Sequence, residues 1–149
     1  MIDPLEVVLN LAKDTSALND ATGGRIDDRH HYGQDANDWA QNATGLTITP
    51  IGGIPIIDLP VSRFQMDARC YGDSFYEAGN VYRALVQMTP AHRRLVAVTE
   101  GVALVYYVVV VGQLRRILDE EVRPNGGMPC YLVQLQAEVA NDVVQDPED

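Results

Sequence analysis

The sequence predicts an α+β fold: a largely antiparallel sheet of about four to six strands with two helices packed mainly on one face. Three observations carry that expectation. Residues 63–70 and 131–139 alternate apolar and polar side chains, as strands with one buried face must. The stretch RFQMDARCYGDSFYEAGNVYRAL, residues 63–85, passes from the strand period of two to a helical period across the letters YGDS. Two helix starts are also marked, by Asp3 before Pro4 and by Ser74 three residues ahead of Glu77.

Taken in order, the first helix follows the Asp3 N-cap, with Leu5, Val8, Leu9 and Ala12 on one face, and Gly23-Gly24 closes the segment after it. RIDDRH, residues 25–30, reads as a short strand. Residues 30–45 are polar and aperiodic, and they predict a long loop. LTITPIGG, 46–53, reads as a strand ending in a turn at the glycine pair. IPIIDLP, 54–60, has two prolines, which disfavours a central strand and favours an exposed apolar arm or an edge.

In the next strand Phe64, Met66, Ala68 and Cys70 share the core side, while Arg63, Gln65, Asp67 and Arg69 share the wet side. Gly72-Asp73 turns the chain into a helix whose stripe is Phe75, Ala78, Tyr82, Leu85 and Val86, ending before Pro90. LVAV and VALVYYVVVV supply two more strands, and the continuous valine run predicts cover on both faces. Residues 112–127, GQLRRILDEEVRPNGG, read as a charged excursion. The last strand sets Tyr131, Val133, Leu135, Ala137 and Val139 against Gln134, Gln136 and Glu138. The organisation expected is one domain over 1–141 and an acidic tail over 142–149.

The 149 residues, 46% hydrophobic, suffice for one buried core. A formal net charge of -10 disfavours partners that are themselves polyanions, so a sequence-reading nucleic-acid binder and an anionic membrane surface are not expected. The opening MIDPLEVVLN has no basic n-region, so no signal peptide is expected, and the ten residues 102–111 are too few for a membrane helix.

The candidate chemistry is sparse. Cys70 and Cys130 lack metal or redox companions and read as buried free thiols. His30-His31 beside Asp27-Asp28 suggests a metal site, but neighbouring strand residues diverge and His92 falls in a distant turn, so a solvated patch is expected. Asp119-Glu120-Glu121 has no nearby Ser, Cys or His and reads as a charged loop. Gly52-Gly53 and Gly126-Gly127 read as turns rather than phosphate cradles, and Asn42-Ala43-Thr44 as a chance glycosylation match. Arg93-Arg94 and Arg115-Arg116 fit carboxylate pairing or an interface rim. Trp39 fits either a tuck against the domain or a contact with another chain, and Ile54, Ile56, Ile57 and Leu59 pose the same choice. No catalytic residue and no cofactor is expected.

The order of these elements resembles the tail terminator, or tail-completion, proteins of long-tailed bacteriophages. The likeness runs through DPLEVVLNLA, the GGRI turn, LTITPIGG, the 63–85 join, VVVVG, the excursion ending NGGMP, and YLVQLQAEVA. It implies a non-enzymatic virion protein of the tail or neck, assembled in the host cytoplasm. It further implies a homo-hexameric ring that caps the tail tube protein, joins it to the head-completion or stopper protein, and meets DNA only in transit. Within such a ring Arg63, Asp67 and Arg69 are expected to face the lumen or a neighbouring subunit. The alternatives are another neck component, a head-tail stopper or adaptor, and a small cytosolic enzyme or ligand-binding domain using a pocket that collects His30, His31 and an acid.

Overall fold

A computed structural model describes residues 2–31, 39, 43–56, 60–89 and 91–144, with the backbone alone at 53–56 and 91–92. The elements in order are α1 (Pro4–Asp14), α2 (Ser16–Thr22), β1 (Ile26–Asp27), β2 (Gly45–Ile56), β3 (Val61–Tyr71), α3 (Phe75–Met88), β4 (Ala91–Val98), β5 (Gly101–Asp119) and β6 (Met128–Ala140). All six strands form one sheet in the order β1-β2-β3-β6-β5-β4, curled into a half-barrel.

The expected fold class is thereby corrected. The sheet is mixed rather than largely antiparallel, and it carries three helices rather than two. β1 runs parallel to β2, with Ile26 opposite Leu46, a pairing that a tight hairpin cannot make and that needs a long connection between the two strands. The additional helix, α2, has too few apolar residues to show a period: only Leu18 and Thr22 are buried in it. Gly23, in the left-handed region at φ 63°, ends it.

The two marked helix starts form as their residues require. Asp3 accepts from the Leu5 amide at 3.0 Å, and Ser74 accepts from the Glu77 amide at 3.3 Å. Glu77 reaches back to the Asp73 amide at 3.0 Å. The tightness of this join explains Gly72, where a Cβ would sit 2.4 Å from the Ala78 nitrogen. The buried stripe of α3 is rotated from the expected one. Ala78, Val81, Ala84, Leu85 and Met88 are inside, while Val86 is exposed.

Helix residues Val7, Val8, Leu11, Leu18, Val81 and Leu85 join Ile48, Met66, Ala68, Val105, Val133 and Leu135 in one core. The parity read for β3 and β6 is therefore the parity observed. Cys70 belongs to this core, whereas Cys130 packs with Tyr71, Val122 and Met128 in a smaller cluster. Cys70 lies opposite Tyr131 and Cys130 opposite Tyr71, so the thiols occupy opposite faces of the sheet, and both are free.

Four strand expectations are corrected. β2 does not stop at Gly52-Gly53: it absorbs Ile51 as a bulge and pairs on to Ile56, with Ile54 opposite Arg63. Ile54 and Ile56 thus lie in a strand rather than a free arm, on a stretch that pairs with β3 alone among the described residues and so is the edge expected as the alternative. β1 flanks β2 only at residues 46 and 47, leaving the rest of its outer edge open among the described residues. β5 continues through the supposed excursion to Asp119, and only residues 120–127 form the turn. Its valine run is not covered on both faces. Ala103, Val105 and Val108 are buried, with a bulge between Val105 and Tyr107 that resets the parity, and the intervening side chains are half-buried. Finally, His92 lies within β4 opposite Tyr107 rather than in a turn, and Arg93 at φ 50° is the unpaired residue beside it.

Candidate functional site

The face of the sheet turned away from the helices is polar, and strand register fixes its rows. Thr47, Arg69, Leu132 and Arg115 form one row, and Thr49, Asp67, Gln134 and Val111 the next. Further along, Gln65 and Gln136 lie side by side, then Arg63 and Glu138. These groups are knitted together: Arg63 Nη2 donates to Glu138 Oε1 at 3.2 Å, and Gln136 Nε2 donates to the Tyr107 hydroxyl at 3.0 Å. The Arg63–Glu138 pair is partly exposed and adds little stability.

At one end of this face Asp119 is a buried hub. Its Oδ2 accepts from the Tyr71 hydroxyl at 2.7 Å and from Arg69 Nη1 at 2.9 Å, and its Oδ1 accepts from the amides of Glu121 and Val122 at 3.1 and 3.4 Å. Burial alone would raise its pKa, but the Tyr71 hydroxyl, the Arg69 charge and the two amides together hold the carboxyl below its ordinary value. Burial and the bond to Asp119 push the Tyr71 hydroxyl well up. The same burial takes the Cys130 thiol up to about 12, so it is no thiolate at neutral pH. Asp119 is thus not a residue of a charged loop, as expected from sequence, but the anchor from which the 120–127 turn departs.

A cleft of about 380 Å³ opens above this hub, lined by residues including His30, Thr47, Asp67, Arg69, Tyr71 and Asp119. A second, of about 400 Å³, lies between Asp67, Arg115 and Gln134. His30 stands edge-on to Trp39 and Tyr71, with ring centroids 4.8 and 5.0 Å away, and burial lowers its pKa to about 4. Trp39 is buried and fills the space over Gly45, where a Cβ would meet its ring at 2.6 Å. The two Arg25–Thr44 hydrogen bonds, at 2.6 and 3.2 Å, fix the chain just ahead of that glycine.

The sequence-predicted residues divide as follows. Arg63, Asp67, Arg69 and Arg115 come together on the polar face. Arg116 does not: it points to the helix side, its guanidinium 4.1 Å from the centre of the Phe75 ring. Ile54 and Ile56 belong to β2, while Ile57 and Leu59 and most of the 30–45 segment lie outside the described residues. Tyr71 is the residue that sequence reasoning left out of the site; Asp119 reads from sequence as part of a charged loop, and His30, expected in a solvated patch or in an alternative ligand pocket, is half-buried against Trp39 and Tyr71. The cleft gathers His30 with Asp28, Asp67 and Asp119, but His31 is not in its lining. Instead the His31 ring meets Asp27 at 2.5 Å, and Asp27, Asp28 and His31 bring one potential metal-ligating atom each to within 4.8 Å of one another. Among the described residues no helix is long and apolar enough to cross a membrane.

No family model matches the sequence, and no curated protein matches it. Among solved structures, the fold is similar to that of a chain in the virion of a native gene transfer agent particle. The TM-score is 0.57 at 12% sequence identity, over 90% of this chain and 92% of that one. At such low identity the likeness establishes the shared fold and leaves the side-chain chemistry to be judged on its own.

Proposed function

We propose that the chain is a structural protein of a phage-type virion and, within that class, a tail terminator. The subunit would close with its copies into a homo-hexameric ring that caps the tail tube, joins it to the head-completion or stopper protein, and lets DNA through in transit. Assembly would take place in the host cytoplasm, and the ring would stay in the tail or neck. The observation that carries the reading is the end-to-end fold likeness to a virion chain, 90% of one and 92% of the other. The order of elements along the sequence supports the narrower assignment.

The polar face suits such a part. Arg63, Gln65, Asp67 and Arg115 stand on rigid strands rather than loops, and a ring needs a heterologous contact that closes. The chain's net charge of -10 matches a channel that passes DNA without holding it. The reading is non-enzymatic: the acid at the centre of the cleft is committed to Arg69, Tyr71 and two backbone amides.

Native mass spectrometry, negative-stain imaging and binding to isolated tail-tube ends test the proposal together. A six-membered annulus that binds tube ends is the expected result. Binding to the portal side would reassign the chain to a stopper or adaptor. A compact monomer at every concentration, with tube ends present, would count against any ring, and turnover of a small molecule that depends on His30 would favour the ligand-binding alternative.

A further inference from the structure

We propose that Asp27, Asp28 and His31 form a binding site for a first-row divalent transition-metal ion of the Zn²⁺ or Ni²⁺ kind. The site is independent of the ring assignment. Its ligating atoms all lie within 4.8 Å of one another. Ligands held about 2.0–2.2 Å from an ion of this class stand at most roughly 4.4 Å apart, so a small side-chain rotation completes the set. Two carboxylates balance the charge of a divalent ion, and the imidazole nitrogen selects the first-row ions over Mg²⁺ and Ca²⁺, which prefer oxygen alone.

The scaffold under these residues is firm. Asp27 is paired in β1 opposite Thr47, and the Thr49 hydroxyl donates to the Asp28 carbonyl at 3.1 Å. His31 lies on the same side, its Nε2 hydrogen-bonded to Asp27 Oδ2 at 2.5 Å; an ion would replace the shared proton and spread the two atoms to roughly 3–3.6 Å, the separation of ligands held about 2.0–2.2 Å from a four-coordinate ion. That contact accounts for one carboxylate only, and the exposed Asp28 side chain completes a mixed nitrogen and oxygen set. Bound metal would fasten the start of the 30–45 segment to the sheet margin.

The chain's single tryptophan supplies the readout, because the Trp39 ring centroid is 5.6 Å from that of His31. Full-length protein stripped with a chelator and titrated with Ni²⁺ should show saturable quenching of Trp39 emission at one ion per chain, reversed by EDTA. His31→Ala and, separately, Asp28→Asn should each raise the midpoint at least about tenfold, the order lost even when a group behind a ligand is removed. His92→Ala should behave as wild type. Asp28→Asn alters an exposed carboxylate, so it remains informative if His31→Ala misfolds. Absence of saturable quenching, an unchanged midpoint in Asp28→Asn, or displacement of Ni²⁺ by equimolar Mg²⁺ would overturn the site.

Discussion

Asp119 shows how a residue's role depends on where its strand ends. In the sequence it opens an acidic triplet and looks solvated; in the structure β5 carries it to the pairing position opposite Met128, facing Tyr71 and Arg69. Extending the alternation of β5 across Gly112 would have revealed this, but the glycine and the register shift between Val111 and Arg115 hide the continuity. The hub makes Arg69 a stabilising residue. Arg69→Ala leaves a buried carboxylate short of its charged partner, so it should cost about 1–3 kcal/mol in urea unfolding. Tyr71→Phe, losing one hydrogen bond of the same carboxylate, should cost about 1 kcal/mol. A double Asp67/Arg69 alanine variant is therefore no clean probe of assembly, because it also removes the charged partner of the buried Asp119. The pH dependence follows from the lowered Asp119 value: its contribution is present above the ordinary carboxylate pKa and is lost as pH falls through the lower folded value. Wild type should thus lose its stability margin over Asp119→Asn as the pH drops below about 4. A margin that stays constant from neutral pH into that range would refute the assignment.

Among the elements, those bounded by strong local chemistry were legible and those bounded by tertiary pairing were not. The caps at Asp3 and Ser74, and the alternation of β3 and β6, are written in adjacent residues. α2 is held by packing of Leu18 and by Gly23 rather than by an amphipathic period. β2 passes through prolines and a glycine pair because β3 supplies a partner as far as Val61. The join between β3 and α3 is the most constrained element. Gly72→Ala drives a Cβ against backbone, which cannot yield as a flexible side chain would, and should destabilise the fold by about 1–3 kcal/mol or more. Ser74→Ala, removing only the cap, should cost about 1 kcal/mol. Thermal melts of the two variants separate the effects, and a Gly72→Ala melt no lower than that of Ser74→Ala would show that the join relaxes freely.

For the whole molecule, the half-barrel divides labour between its faces: one carries the helices and the core, the other presents charged and amide groups in register. Arg115 is exposed on that second face, at the margin of the cleft shared with Asp67. Arg115→Glu should leave the monomer's melting temperature within the scatter of surface variants while shifting native mass spectra from ring to monomer. An unchanged ring fraction would remove this face from the proposed subunit contact. The margins of the sheet have a separate consequence. β2 runs past β1 with a flank that no described residue pairs, but it carries Pro50 and Pro55, which lack the amide hydrogens an incoming strand needs, and β4 is kinked at Arg93. The described margins of the sheet are thereby poor templates for amyloid-like stacking of one copy of this chain on another.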